Sequence, residues 1–217
     1  MGRWFGYGAR GAYRNLIALV FICFAGVVRA ETATVAVLGD SLIQGYGLVQ
    51  QEGLVPQLES WLHAQGADVA LINAGVSGDT TQGGLSRIAW TLTPEVDAVI
   101  VALGGNDLLR GIDPAVSRAN IEGIVEVTQQ ANLEVLLIGI EAPLNYGADY
   151  KAAFDAIFPQ VAEIYGTAFH PGLFTAFDGL DLQDVMQSDS IHPNAKGVSL
   201  IVEEIGPDVL ALINRIH

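Results

Sequence analysis

The chain has 217 residues, 51% of them hydrophobic, with ten Lys and Arg against 24 Asp and Glu for a formal charge of −14. That length is enough for one well-buried domain. The acidity argues against a nucleic-acid partner, whose affinity would come largely from Lys and Arg neutralising phosphates, and disfavours the steering of polyanionic substrates.

Arg3, Arg10 and Arg14 form a positive leading region, and Leu16 to Val28 is an uninterrupted run of apolar or small residues. Val28-Arg29-Ala30 then places small side chains at the −3 and −1 positions of a cleavage after Ala30. This is the pattern of a secretory signal peptide, so residues 1–30 are expected to be removed and the product to be periplasmic or secreted. The apolar run is shorter than the ~20 residues that span a bilayer, and no stable membrane anchor is expected after cleavage. Cys23, the one cysteine, would leave with the signal, so the core must hold the domain at 31–217 without a disulfide. That domain keeps six basic against 24 acidic side chains, a formal charge of −18.

Beyond the signal, short apolar runs alternate with longer segments. Thr34–Leu38, Ala67–Ile72, Ala98–Leu103 and Glu134–Ile140 are rich in Val, Ile and Leu, as strands buried on both faces of a parallel sheet should be. Helices are expected over Gly53–Gln65, Thr80–Leu92, Pro114–Ala131, Asp149–Tyr165 and about Asn194–Ile213, the last broken or kinked at Gly206-Pro207. Pro114 suits a first-turn position, and Asp113 can cap that helix. Strand–helix alternation predicts an α/β domain with a parallel sheet covered on both faces, and sites in such folds gather at the carboxyl ends of strands.

Four islands fall at such places: Gly39-Asp-Ser-Leu42, Val76-Ser-Gly-Asp79, Gly104-Gly-Asn-Asp107 and Asp189-Ser-Ile-His-Pro193. A serine hydroxyl needs a neighbouring base to become a nucleophile. His192 is the best-placed base for Ser41, and Asp189 three residues earlier can meet its other ring nitrogen, fix the tautomer and stabilise the imidazolium. An oxyanion would need hydrogen-bond donors. The Ser41 N–H, the Gly78 N–H and the Asn106 amide are the candidates. Asp40, Asp79 and Asp107 read as caps and turn braces, and His63, His170 and His217 as structural or surface residues. Leu109, Pro143 and Ile191 lie near the motifs and are candidate substrate contacts.

These motifs resemble the SGNH hydrolases, also called GDSL lipases and esterases, over nearly all of residues 33–213. The resemblance implies a three-layer α/β/α sandwich with a flavodoxin-like parallel sheet. It also implies ester hydrolysis through an acyl-enzyme, without metal or other cofactor, on a small-molecule ester. Ala74–Thr81, Leu103–Gly111 and Pro143–Gly147 are similar to the exported arylesterase, thioesterase I and lysophospholipase branch. Thioesterase I members carry a basic residue and a leucine before the proline. Glu141-Ala142 stand here, which shifts the resemblance toward arylesterase. Two rival readings are a metallophosphoesterase, which would need grouped histidines, and a silent lipid- or carbohydrate-binding module, which would not need a complete Ser, His and acid set.

Overall fold

The computed structural model describes residues 1–3 and 32–216. The expected signal peptide, apart from its first three positions, and His217 lie outside the described residues. Five strands, β1 (Ala33–Gly39), β2 (Val69–Gly75), β3 (Ala98–Ala102), β4 (Glu134–Ile138) and β5 (Ala168–His170), form one parallel sheet in the order β2-β1-β3-β4-β5. The helices in chain order are α1 (Ser41–Gln44), α2 (Leu54–Ala64), α3 (Thr81–Thr91), α4 (Gly105–Leu109), α5 (Pro114–Gln130), α6 (Ala148–Asp155), α7 (Ile157–Tyr165), α8 (Leu182–Val185) and α9 (Ala195–Ile216). Among the described residues, no helix is long and apolar enough to cross a membrane.

Alternation along each strand divides the core. Val35 and Val37 of β1 point to one face, where Leu58 and Leu62 of α2 meet Ile201, Val209 and Leu212 of α9. Ala36 and Leu38 point to the other, against Ile88 of α3, Ile121 and Ile124 of α5, and Phe154, Phe158 and Val161 of α6 and α7. Each fully buried Val, Ile or Leu contributes roughly 1.5–3 kcal/mol. The result is the expected three-layer α/β/α sandwich. From β1 the chain goes out to β2 and returns to β3 on the other side, so the crevice between β1 and β3 is the switch point at which open α/β sheets build their sites.

Several expected elements are corrected. β2 starts and ends later than expected and is an edge strand with Ile72 exposed. The segment Asp149–Tyr165 forms two helices rather than one. Pro159 has no N–H to offer and its ring crowds the carbonyl four residues back, so α6 stops at Asp155 and Pro159 sits in the first turn of α7. α9, by contrast, runs unbroken through Gly206-Pro207. At Gly206 a Cβ would lie 2.7 Å from the Trp61 ring, so the missing side chain lets α2 and α9 pack closely. Asp113 caps α5 by accepting from the Ala115 N–H, with Pro114 first in the helix as expected. Asn194 caps α9 through the Gly197 N–H.

Candidate active site

β1 is buried along its length and ends at Gly39, where a Cβ would fall 2.1 Å from Ile43 Cγ1 and 2.9 Å from the Ala102 carbonyl. Glycine therefore lets the chain turn directly from strand into α1, with Asp40 as its cap and Ser41 as its first residue. First-turn N–H groups of a helix have no intrahelical acceptor, so the Ser41 N–H faces outward beside its own hydroxyl. After β2, the Asp79 N–H donates to the Val76 carbonyl and closes a turn with Gly78 at φ +79°. A positive φ at the third turn position favours glycine. After β3, Gly104 at φ +124° opens α4, and a Cβ at Gly105 would meet Asp40 Oδ2 at 3.1 Å. The glycine pair thus brings Asn106 up to Asp40.

The residues singled out from the sequence converge. Ser41 Oγ lies 2.8 Å from His192 Nε2, and His192 Nδ1 lies 2.6 Å from Asp189 Oδ2. Asp189 Oδ1 also accepts from the backbone N–H groups of His192 and Ile191 at 3.0 and 2.9 Å. The His192 backbone N–H, its ring and the Ile191 N–H, in that order, hold the Asp189 carboxyl down at about 2. An ionised Asp189 only accepts, so Nδ1 carries the proton and Nε2 is left to accept from the Ser41 hydroxyl. Gly78, Asn106, Leu109, Pro143 and Ile191 line one cleft of about 480 Å³ with Ser41 and His192.

Other contributors carried no sequence signal of their own. Tyr46 packs against the His192 ring with centroids 4.5 Å apart. Gln187 Nε2 donates to the Tyr46 and Pro193 carbonyls at 2.8 and 3.0 Å, tying the His192 loop to the segment after Ser41. Arg87 donates to Asp79 and to the carbonyls of Ala74 and Gly39 at 2.7, 2.7 and 2.9 Å. One guanidinium thereby fastens the ends of β1 and β2. Arg110 reaches from the end of α4 to the Gly78 carbonyl at 2.7 Å.

The three aspartates that read as caps and turn braces act as supports. Asp107 is fully buried and accepts from the Thr81 N–H, the Thr81 hydroxyl and the Ser117 hydroxyl, while Asn120 donates to Thr81 Oγ1. Asp40 accepts from the Leu42 N–H at 3.0 Å and the Asn106 amide at 3.3 Å. Burial pushes the Asp40 carboxyl up, against the opposing pull of the Leu42 hydrogen bond and the nearby His192. One N–H of the Asn106 amide is thus directed at Asp40, which orients the other. His63 bonds the Val69 carbonyl at 2.7 Å and His170 is buried against Asp208 at 2.8 Å, both away from the cleft. Among the described residues, no three His, Cys, Asp or Glu side chains are grouped to hold a metal ion.

A serine, histidine and acid converging at the strand ends of an open parallel sheet have the arrangement of a serine hydrolase. The chain belongs to the GDSL-like Lipase/Acylhydrolase family, whose model matches residues 37–200. It is 36% identical over 195 residues to Esterase TesA of Pseudomonas aeruginosa, covering 88% of this chain and 96% of that one. It is 32% identical over 205 residues to Thioesterase 1/protease 1/lysophospholipase L1 of Escherichia coli K12, covering 94% and 96%. Among solved structures, the SGNH-hydrolase family esterase AlinE4 shares 43% identity and superposes with a TM-score of 0.70, covering 82% of this chain and 95% of that one. The chain is accordingly a carboxylic ester hydrolase of the SGNH esterase, thioesterase and lysophospholipase group.

Proposed function

We propose that the protein is a serine esterase of arylesterase type, hydrolysing carboxylic esters of short to medium acyl chain through an acyl-enzyme. The observation that carries this reading is the continuous hydrogen-bonded chain from Ser41 Oγ through His192 to Asp189 at 2.8 and 2.6 Å. Ser41 Oγ attacks the carbonyl carbon as its proton passes to His192 Nε2, and Asp189 stabilises the imidazolium. The oxyanion is held by the N–H groups of Ser41 and Gly78 and the Asn106 amide. When the intermediate collapses, His192 gives its proton to the departing alcohol oxygen. Water then repeats the sequence to release the acid and restore Ser41.

The chain's net charge of −14 supports oxygen esters over acyl-CoA thioesters, because an acidic protein opposes the approach of a polyphosphorylated leaving group. The charge patterning of residues 1–30 supports an exported protein cleaved after Ala30. Hydrolysis of p-nitrophenyl acetate and butyrate by wild type and Ser41→Ala tests the mechanism, with butyryl-CoA as the thioester arm. The alanine variant should be inactive and unlabelled by a fluorophosphonate probe. Undiminished hydrolysis would remove Ser41 from its role.

A further inference from the structure

α1 lasts only four residues, and Gly45 at φ +87° turns the chain back, so that the Gly45 and Tyr46 N–H groups both donate to the Ser41 carbonyl at 3.1 and 3.0 Å. That turn sets the Tyr46 ring on the face of the His192 imidazole, with centroids 4.5 Å apart and the planes 32° from parallel. The late segment is fastened to the same place. Gln187 donates its backbone N–H to the His192 carbonyl at 2.7 Å and its side-chain amide to the Tyr46 carbonyl at 2.8 Å. Ser41, Tyr46, Gln187 and His192 therefore form a closed circuit, completed where His192 Nε2 meets Ser41 Oγ at 2.8 Å. Tyr46 is 49% exposed and does not line the catalytic cleft, whereas His192 does.

Resting on the serine esterase reading above, we infer that Tyr46 is a positioning residue for His192, acting on the reaction through the imidazole and not through the substrate. Two hydrogen bonds hold that ring within its plane, Nδ1 to Asp189 and Nε2 to Ser41. Neither stops it rolling about the line between its nitrogens, and an aromatic ring pressed on its face does. The contact also gains strength during turnover. His192 is neutral before the reaction and a cation once it holds the Ser41 proton, and the electron-rich face of a tyrosine attracts a cation. An interaction stronger in the transition state than in the ground state lowers the barrier and so shows in kcat. In deacylation the proton of water passes to the same nitrogen, so kcat reads the contact whichever half-reaction is slower. Leucine fills comparable space, but only an aromatic face supplies that attraction.

The test is kcat and KM on p-nitrophenyl butyrate for wild type, Ser41→Ala, Tyr46→Leu and Tyr46→Phe, each first checked for a cooperative thermal transition. A cation over a tyrosine face is worth from about twofold at an exposed site to about thirtyfold when desolvated. Tyr46→Leu should therefore lower kcat at least about threefold while KM stays within about twofold of wild type. Tyr46→Phe keeps the ring face and should hold kcat within about twofold of wild type. Should Tyr46→Leu lose its thermal transition, Gln187→Leu is read in its place, since it cuts the tie between the two segments and leaves both rings. A smaller fall in kcat, a KM that rises in step with it, or a phenylalanine variant as slow as the leucine one overturns the inference. Failure of the esterase reading looks different: wild type is then no faster than Ser41→Ala, and the role of Tyr46 falls with it. Where wild type far outruns Ser41→Ala and Tyr46→Leu matches wild type, only the role of Tyr46 falls.

Discussion

Asp40→Asn separates what Asp40 does for catalysis from what it does for folding. Asparagine keeps an oxygen for the Leu42 N–H, since it caps helices as well as aspartate does. Its other terminus becomes an NH2 facing the NH2 of Asn106, so donor meets donor where an acceptor stood at 3.3 Å. The Asn106 amide then loses the partner that sets its orientation. A hydrogen bond to a charged group is worth about 1.5–3 kcal/mol, and the long separation places this one at the lower end. The expected cost is about 1.5 kcal/mol, roughly tenfold in kcat. Asn106→Ala deletes the donor and should cost ~10²–10³ in kcat.

If Asp40 works through Asn106, the double variant should be no slower than Asn106→Ala alone. The assay is kcat and KM on p-nitrophenyl butyrate for all four proteins, and losses that multiply would refute the reasoning. Stability should move the other way. Burial raises the Asp40 carboxyl above its ordinary range, so its ionised form penalises the folded state above that raised value, and the penalty fades as pH falls through it. The uncharged asparagine carries no such penalty, so Tm at neutral pH should hold or rise. A Tm that drops in step with kcat would make Asp40 only a structural brace.

Three further substitutions carry expected outcomes. Asp189→Asn should lower kcat on the order of 10³-fold with little change in KM, because the imidazole loses its orienting acceptor. The Asp189 carboxyl is held at about 2, so the stability it adds is complete above pH ~4 and is lost as pH falls toward 2. Acid-unfolding curves of wild type and Asp189→Asn should converge at the bottom of that window. Thr81→Val should cost about 1–3 kcal/mol in a urea titration, since it strips the buried Asp107 and Asn120 of a shared hydroxyl. Gly206→Ala should lower stability by about 1–3 kcal/mol through overpacking against Trp61, seen as a lower Tm with kcat unchanged.

The layered α/β architecture was legible because buried parallel strands leave continuous Val, Ile and Leu runs, as in β1, β3 and β4. β5 was not, since three residues, Ala168-Phe-His170, show no periodicity and become a strand only by pairing with Leu136–Ile138. The sequence reading ran a helix straight through Pro159 and broke or kinked one at Pro207, and the structure has the reverse. The first falls where a helix can restart around it, and the second lies inside a helix whose Gly206 packs closely on Trp61. At the site, Ser41, Gly78, Asn106, Asp189 and His192 were visible because their chemistry sits in short motifs at strand ends. Tyr46, Gln187, Arg87 and Arg110 were invisible because each acts by reaching another segment's backbone or ring, a relation that spacing along the chain does not encode.

Ser41 and His192 stand 151 positions apart, and Gln187 stitches the late segment to the early one. An unfinished polypeptide emerging from the ribosome therefore carries an inert hydroxyl. A copy still too short to include His192 has no imidazole to set beside Ser41, so it meets esters without the base that would activate its hydroxyl.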